Sequence, residues 1–226
     1  MERNIITIDG PAGAGKSTVS KILARQLHYI YLDTGAMYRV VGLWAQREKI
    51  DFEDDRALEK LCGQLAIDFQ GEGESQRVLC QGEDVTEKIR DPEIGWLAST
   101  VSTRRPVREA MVALQRKIGS KGKIVAEGRD TGTVVFPWAR YKFFLSADPS
   151  ERARRRFQEL IDRGYKVTLE RIEEEIKERD AQDSLRALAP LQPAADAHFL
   201  DSTNLTPAQV VEKILRIINN EGGSSR

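Results

Sequence analysis

Eight residues near the start of the chain, Gly10-Pro11-Ala12-Gly13-Ala14-Gly15-Lys16-Ser17, fit the pattern G-x-x-x-x-G-K-[ST]. Glycines in such a loop let backbone N–H groups converge on phosphate oxygens with no Cβ in the way. Lys16 adds a positive charge that reaches the β and γ phosphates, and the Ser17 hydroxyl is placed to ligate Mg²⁺. A helix opening at Lys16-Ser17-Thr18 would turn its positive end toward the same phosphates. The apolar run Ile5–Ile8 leads directly into the loop, which supplies the strand–turn–helix setting the pattern requires. Residues Gly10 to Thr18 are therefore expected to bind a nucleoside triphosphate. Such a loop alone does not separate kinases from switches, motors or ATPases.

Three further segments narrow the chemistry. The first is Leu32-Asp33-Thr34-Gly35-Ala36-Met37-Tyr38-Arg39, at the carboxyl end of a second strand, the edge where ligands sit in open parallel sheets. Asp33 there can hold Mg²⁺ or its waters, and Arg39 a second phosphate; a helix cap and a surface arginine are the plainer reading. The second is Glu127-Gly128-Arg129-Asp130, again at a strand end, where a carboxylate can face the metal and Arg129 can clamp a phosphate beside an acceptor. A structural ion pair is its alternative. The third is the arginine-rich stretch Arg152, Arg154, Arg155, Arg156, with Arg179, Asp183 and Arg186 about a helix later. Charge runs usually form solvated helix faces, but in phosphoryl transfer arginines neutralise the migrating group and close a lid over it.

The elements that must position these residues follow from periodicity. Strands are expected at Ile5–Asp9, Tyr29–Asp33, Lys123–Glu127, Tyr141–Ser146 and His198–Asp201, alternating with helices, the signature of a parallel α/β sheet. The first helix spans Lys16 to Leu27, with Val19, Ile22, Leu23 and Leu27 at helical spacing. Asp148-Pro149-Ser150-Glu151 starts another, which stops near Gly164. Thr206-Pro207-Ala208-Gln209 starts the last, with an apolar stripe of Val210, Val211, Ile214, Leu215 and Ile218. From about Leu61 to Ser102 short β runs, Ala66–Gln70 and Arg77–Cys80, suggest a small antiparallel meander inserted between the second and third core strands. The expected organisation is a core of residues 1–60 and 103–220, an insert of 61–102 and a tail of 221–226 that is Gly/Ser-rich and expected to be disordered.

Composition bounds the class. The 226 residues carry 35 Lys plus Arg against 35 Asp plus Glu, so no bulk attraction to nucleic acid or an anionic membrane is expected. No apolar run approaches a membrane span, and the immediate strand leaves no room for a signal peptide, so a cytoplasmic protein is expected. Cys62 and Cys80 make no disulfide framework, and His28 and His198, far apart, read as structural with no zinc-type cluster. No long exposed apolar stripe or heptad pattern calls for a dimer, so a monomer is expected.

Together these segments resemble the bacterial cytidylate kinase family, the branch of nucleoside monophosphate kinases with an enlarged monophosphate-binding insert. IDGPAGAGKST, LDTGAMYR, GEDVTEKIR, PVREAM, EGRDTGTVVFP, IKERDAQDSLRALAPL and AADAHFLDST match in order, from Ile8 to about Thr203. The resemblance implies a five-stranded parallel sheet flanked by helices, a small inserted domain and a helical lid at about 152–183. It implies transfer from ATP, with Mg²⁺, to CMP or dCMP. It places Thr34, Ser99, Arg108 and Asp130 at the base, Arg39, Arg129 and Arg186 at the acceptor phosphate, and Tyr38, Arg179 and Asp183 around the sugar. Arg152 and Arg156 would sandwich adenine and touch the ATP phosphates. Lys16, Asp33, Arg129, Arg156 and Arg186 would carry catalysis.

The base assignment has its own chemical support. Cytosine presents an N4 amino donor where uracil presents an O4 acceptor, so a carboxylate at Asp130 accepts from the former and repels the latter, while Arg108 donates to N3 or O2. No general base is required, because the acceptor phosphate is already anionic. One departure is Glu127, where some members have Asp; the longer carboxylate alters the metal geometry. Rival readings are another acceptor (AMP, UMP or shikimate), a GTPase switch, which lacks its N-K-x-D here, and a non-catalytic nucleotide-binding module.

Overall fold

The computed structural model describes residues 4–71 and 75–223. Five strands form one parallel sheet: β1 (Ile5–Asp9), β2 (Ile30–Asp33), β6 (Ile124–Gly128), β7 (Tyr141–Ser146) and β8 (His198–Asp201), in the order β2-β6-β1-β7-β8. Between β2 and β6 lie α2 (Thr34–Arg47), α3 (Asp55–Gln64), the three-stranded antiparallel sheet β3 (Ile67–Gln70), β4 (Arg77–Cys80) and β5 (Glu83–Asp84), then α4 (Pro92–Val101) and α5 (Arg105–Gly119). The remaining helices are α1 (Lys16–Leu27), α6 (Pro149–Asp162), α7 (Leu169–Leu185) and α8 (Pro207–Gly223).

Period-two alternation sends each central strand into two cores. Ile5, Ile124 and Ala126 face a cluster with α2, α4 and α5, whereas Ile6, Ile8 and Val125 face α1 and α8. Such two-sided burial is what a parallel sheet demands, and it explains near-continuous apolar strands. In α1, Val19 and Leu23 are buried; in α8, Val210, Val211 and Ile214 are. Fully burying each such side chain contributes about 1.5–3 kcal/mol. A third, smaller cluster of Ala153, Leu160, Ile172 and Ile176 joins α6 to α7.

Three expectations change. Strands β2 and β6 start one residue later than the periodicity suggests, because His28 and Lys123 take left-handed conformations (φ 55° and 51°) just before them. The β pattern of the insert ends at Asp84 rather than continuing to Ser102. Asp91 accepts from the Glu93 N–H at 2.9 Å with Pro92 at the first helical position, so α4 begins there and buries Ile94, Ala98 and Val101. The tail expected from Glu221 is helical through Gly223, and residues 224–226 lie outside the described ones. The insert also shares its core: Leu61, Ile67, Val78, Cys80 and Ile94 belong to the same apolar cluster as Ile5 and Phe136.

The two histidines are structural: His28 caps α1, its N–H donating to Ala24 and Arg25 carbonyls, and His198 stacks near Phe143 and pairs with Glu221 at 2.9 Å. Cys62 and Cys80 are buried free thiols.

Candidate active site

The carboxyl ends of β1, β2 and β6 open into a cleft of about 920 Å³. The loop from Ala12 to Thr18 forms one wall. Gly13 (φ 75°) has its missing Cβ pointed at Arg152, where a methyl would sit 2.8 Å from the carbonyl oxygen, so the loop can pack there only without a side chain. Lys16 is 7% exposed and its Nζ donates to the Pro11 carbonyl at 2.7 Å, which curls the loop around the ammonium. Burial, helped by the Arg129 charge, pulls the Lys16 amine down to about 7.

Opposite the loop, Ser17 Oγ donates to Glu127 Oε2 at 3.0 Å, and the Tyr31 hydroxyl donates to Glu127 Oε1. Burial, with Asp33 nearby, raises the Glu127 carboxyl above its ordinary value. Asp33 caps α2 by accepting from the Ala36 N–H at 2.9 Å, and its other oxygen lies 3.9 Å from Arg39 Nη1. Asp33 is therefore a helix cap, and it also lines the cleft together with Arg39. Thr34 Oγ1 donates to the Glu127 carbonyl at 2.7 Å, locking the start of α2 onto β6.

A second constellation stands at the far end of the cleft. Asp130 lies between two guanidinium groups: Arg108 pairs with its Oδ2, and Arg186 Nη2 is 3.6 Å from its Oδ1. All three are buried or nearly so, and Tyr38 lies under Arg108 with the guanidinium 5.7 Å from its ring centre. Arg129 Nε donates to Asp183 Oδ2 at 2.7 Å. Burial works against an ionised Asp183, but Arg129, Arg179 and Arg186 outweigh it and hold the carboxyl below its ordinary value. Arg179 has a buried Nε with no protein partner, and burial together with Arg129 and Arg39 pulls its guanidinium down to about 9. Ser99 Oγ donates to Gln182 Oε1 at 2.9 Å, joining α4 to α7.

Basic side chains outnumber acidic ones around this cleft: ten arginines and two lysines line it against seven carboxylates, Asp33, Glu127, Asp130, Glu151, Glu159, Glu175 and Asp183, so the site favours a polyanion.

A family profile described as "Cytidylate kinase" matches residues 6–220. The chain belongs to the cytidylate kinase family. A protein named cytidylate kinase from Citrifermentans bemidjiense is 55% identical over 208 residues, 92% of this chain and 89% of its own length. Another of that name from Geobacter sp. strain M21 is 53% identical over 214 residues, covering 95% and 92%. A crystal structure of an uncharacterized protein from Eubacterium ventriosum shares the fold alone, with TM-score 0.54 at 12% identity over 98% of this chain and 99% of that one.

Of the residues that motif reading assigns to this family's site, nearly all meet in the cleft; Gly10, Pro11 and Arg152 do not line it. Arg152 is 4% exposed. It donates to the Ala147 carbonyl at 3.0 Å and the Ala12 carbonyl at 3.2 Å, and pairs with Asp180 at 2.7 Å. An adenine sandwich between Arg152 and Arg156 is therefore not the arrangement seen; Arg152 pins the phosphate loop to α6 and α7. Sequence reading also passes over Tyr31, Gln182 and Ser202. Ser202 Oγ donates to the Ala14 carbonyl at 3.0 Å while Arg155 Nη2 donates to the Ser202 carbonyl at 2.7 Å, tying the β8–α8 loop to the phosphate loop. The signal was the matched LDST segment, to which no role attaches until its fold position is known.

Proposed function

We propose that this chain transfers the γ-phosphoryl group of ATP to CMP or dCMP, forming ADP and CDP or dCDP by direct in-line attack of the acceptor phosphate. The observation that carries this reading is Asp130 held between Arg108 and Arg186 in the same cleft as the phosphate loop. Asp130 accepts from the cytosine amino group, Arg108 donates to N3 or O2, and the Thr34 and Ser99 hydroxyls border the base. Arg39, Arg129 and Arg186 hold the acceptor phosphate; Tyr38, Arg179 and Asp183 surround the sugar. The loop from Gly10 to Thr18 holds the ATP phosphates, Lys16 and Arg156 neutralise charge that builds between donor and acceptor, and the exclusion of water strengthens each contact.

The donor set also fits Mg²⁺. Ser17, Glu127 and Asp33 offer a hydroxyl and carboxylates, all hard oxygen donors. Among the described residues no group of three or more His, Cys, Asp or Glu side chains could hold a metal alone. Few protein ligands, with waters and phosphate oxygens completing the shell, is the pattern Mg²⁺ prefers. Bound there it would neutralise the β and γ phosphates; Ser17 and Glu127 would orient it, with Asp33 acting through water.

The test is product analysis. ATP, Mg²⁺ and CMP with the protein should yield CDP and ADP in equal amounts; hydrolysis of ATP to free phosphate with no CDP would refute the reading.

A further inference from the structure

Asp9 is a buried carboxylate that the transfer itself does not use. It closes β1, one residue before Gly10, and is 5% exposed. Both its oxygens are engaged. Oδ1 accepts from the Thr131 N–H and from Thr131 Oγ1, each at 2.8 Å, and Oδ2 accepts from the Gly132 N–H at 2.7 Å. All three donors belong to the residues that directly follow Asp130.

The far end of that segment is held separately, by Arg116 Nη2 and Nε donating to the Val134 and Val135 carbonyls at 2.8 and 3.0 Å and by burial of Val135 and Phe136. At its start, the two N–H groups next to Asp130 donate to Asp9. Asp130 leaves β6 with φ −145° and ψ 22°, and residues Thr131–Val135 make a single π-helical turn. The turn is closed by the Phe136 N–H donating to the Thr131 carbonyl at 2.7 Å and the Val135 N–H donating to the Asp130 carbonyl at 3.2 Å. One such turn is a poor structure in isolation and occurs where its surroundings impose it. The fit against β1 is tight: a Cβ at Gly132 would stand 2.8 Å from Thr7 Oγ1 and 3.3 Å from Asp9 Oδ2. Burial pushes the Asp9 carboxyl up to about 6, with the three hydrogen bonds pulling it back, so the fold keeps a costly charge here at neutral pH.

We infer that Asp9 is a positioning residue for base recognition, clamping the Thr131–Gly132 backbone so that Asp130 stands between Arg108 and Arg186. The inference rests on the reading of Asp130 as the group that faces the acceptor base. It also makes β1 serve both substrates, since the same strand end launches the phosphate loop. A charged, two-oxygen acceptor is needed. An asparagine in its place would turn an amino group toward one of the three donors, setting donor against donor, and the backbone after Asp130 would shift.

The test compares Asp9→Asn and Thr131→Val with the unaltered protein. Readouts are KM for CMP and for ATP, the ratio of kcat/KM between CMP and UMP, and hydrogen exchange at the Thr131 and Gly132 amides. Asp9→Asn should raise the CMP KM about tenfold, lower the CMP/UMP ratio by a similar factor and leave the ATP KM within about twofold. Exchange at Gly132 should quicken. Thr131→Val removes one donor at nearly constant volume and should shift the same quantities a few-fold; if Asp9→Asn does not fold, this variant decides. Unchanged CMP KM and ratio in the variants would overturn the inference, as would equal deterioration for CMP and ATP. An unaltered protein that phosphorylates no cytidine nucleotide would sink the acceptor reading instead, while amide exchange in Asp9→Asn would still report on the clamp.

Discussion

Arg129 Nε donates to Asp183 Oδ2 at 2.7 Å, joining the end of β6 to α7 within the cleft. Asp183 is 4% exposed and also lies 3.9 Å from Arg186. One carboxylate thus orients two of the arginines proposed to hold the acceptor phosphate. Asp183→Asn should raise the KM for CMP roughly tenfold or more, the worth of one charge-assisted hydrogen bond, with a much smaller change for ATP. Steady-state kinetics with each substrate varied in turn checks this; a larger effect on ATP would place Asp183 elsewhere in the reaction.

Asp130 is the residue proposed to read the base. Asp130→Ala leaves Arg108 and Arg186 buried without their shared partner, so acceptor use should fall for every substrate. The loss for CMP should exceed that for UMP by about tenfold, because only cytosine gives up a hydrogen bond. Parallel kcat/KM measurements decide it, and equal losses would remove Asp130 from base recognition.

The Lys16 amine gives a pH signature. With its value pulled down to about 7 in the free protein, the group is mostly neutral above that pH. A triphosphate placed against it favours the charged form and raises the value again, so nucleotide binding should take up protons between roughly pH 7.5 and 9. Calorimetric titrations in buffers of different ionisation enthalpy should show net uptake that disappears in Lys16→Gln. Lys16→Ala should in addition lower turnover by orders of magnitude while the chain stays folded. Net release, or uptake that survives Lys16→Gln, would contradict the assignment.

Tyr31 and Ser17 each donate to one oxygen of Glu127. Tyr31→Phe removes one of these restraints without opening a cavity. The carboxylate should then orient the metal less well, raising the Mg²⁺ concentration for half-maximal activity several-fold with little change in the KM for CMP. An activity curve indifferent to the substitution would show that Glu127 does not act through the metal.

Stability can be probed away from the cleft, at the end of α5. Gly119 is buried, and a Cβ there would fall onto the Phe136 ring, which is itself fully buried in the main core. Gly119→Ala should destabilise the chain by about 1–3 kcal/mol through overpacking. A thermal melt reads it, with kcat at low temperature unchanged.

The core strands and α1 were legible because apolar runs and glycine punctuation are local signals: Tyr141–Ser146, His198–Asp201 and Lys16–Leu27 all appear with the expected bounds. The phosphate loop and the Arg129-Asp130 pair were legible for the same reason, as contiguous motifs. What was not legible depends on residues distant in sequence. Arg152 reads as a solvated or adenine-facing arginine until Ala12, Ala147 and Asp180 are seen around it. Tyr31 looks like one more strand aromatic until β6 brings Glu127 beside it. The switch from β to helix at Pro92 has a cap signal, Asp91-Pro92-Glu93, like Asp148-Pro149-Ser150, but it follows directly on short β runs and so reads as part of them.

Whether Asp130, Arg108 and Arg186 read cytosine is tested by kcat/KM for phosphorylation by ATP and Mg²⁺ of CMP, dCMP, UMP, AMP and GMP offered separately. CMP and dCMP should lead, with UMP lower by about tenfold or more, as expected for a carboxylate that must accept from the base. A panel led by UMP or a purine nucleotide, or one in which no acceptor is phosphorylated, would contradict the proposal that Asp130, Arg108 and Arg186 read cytosine.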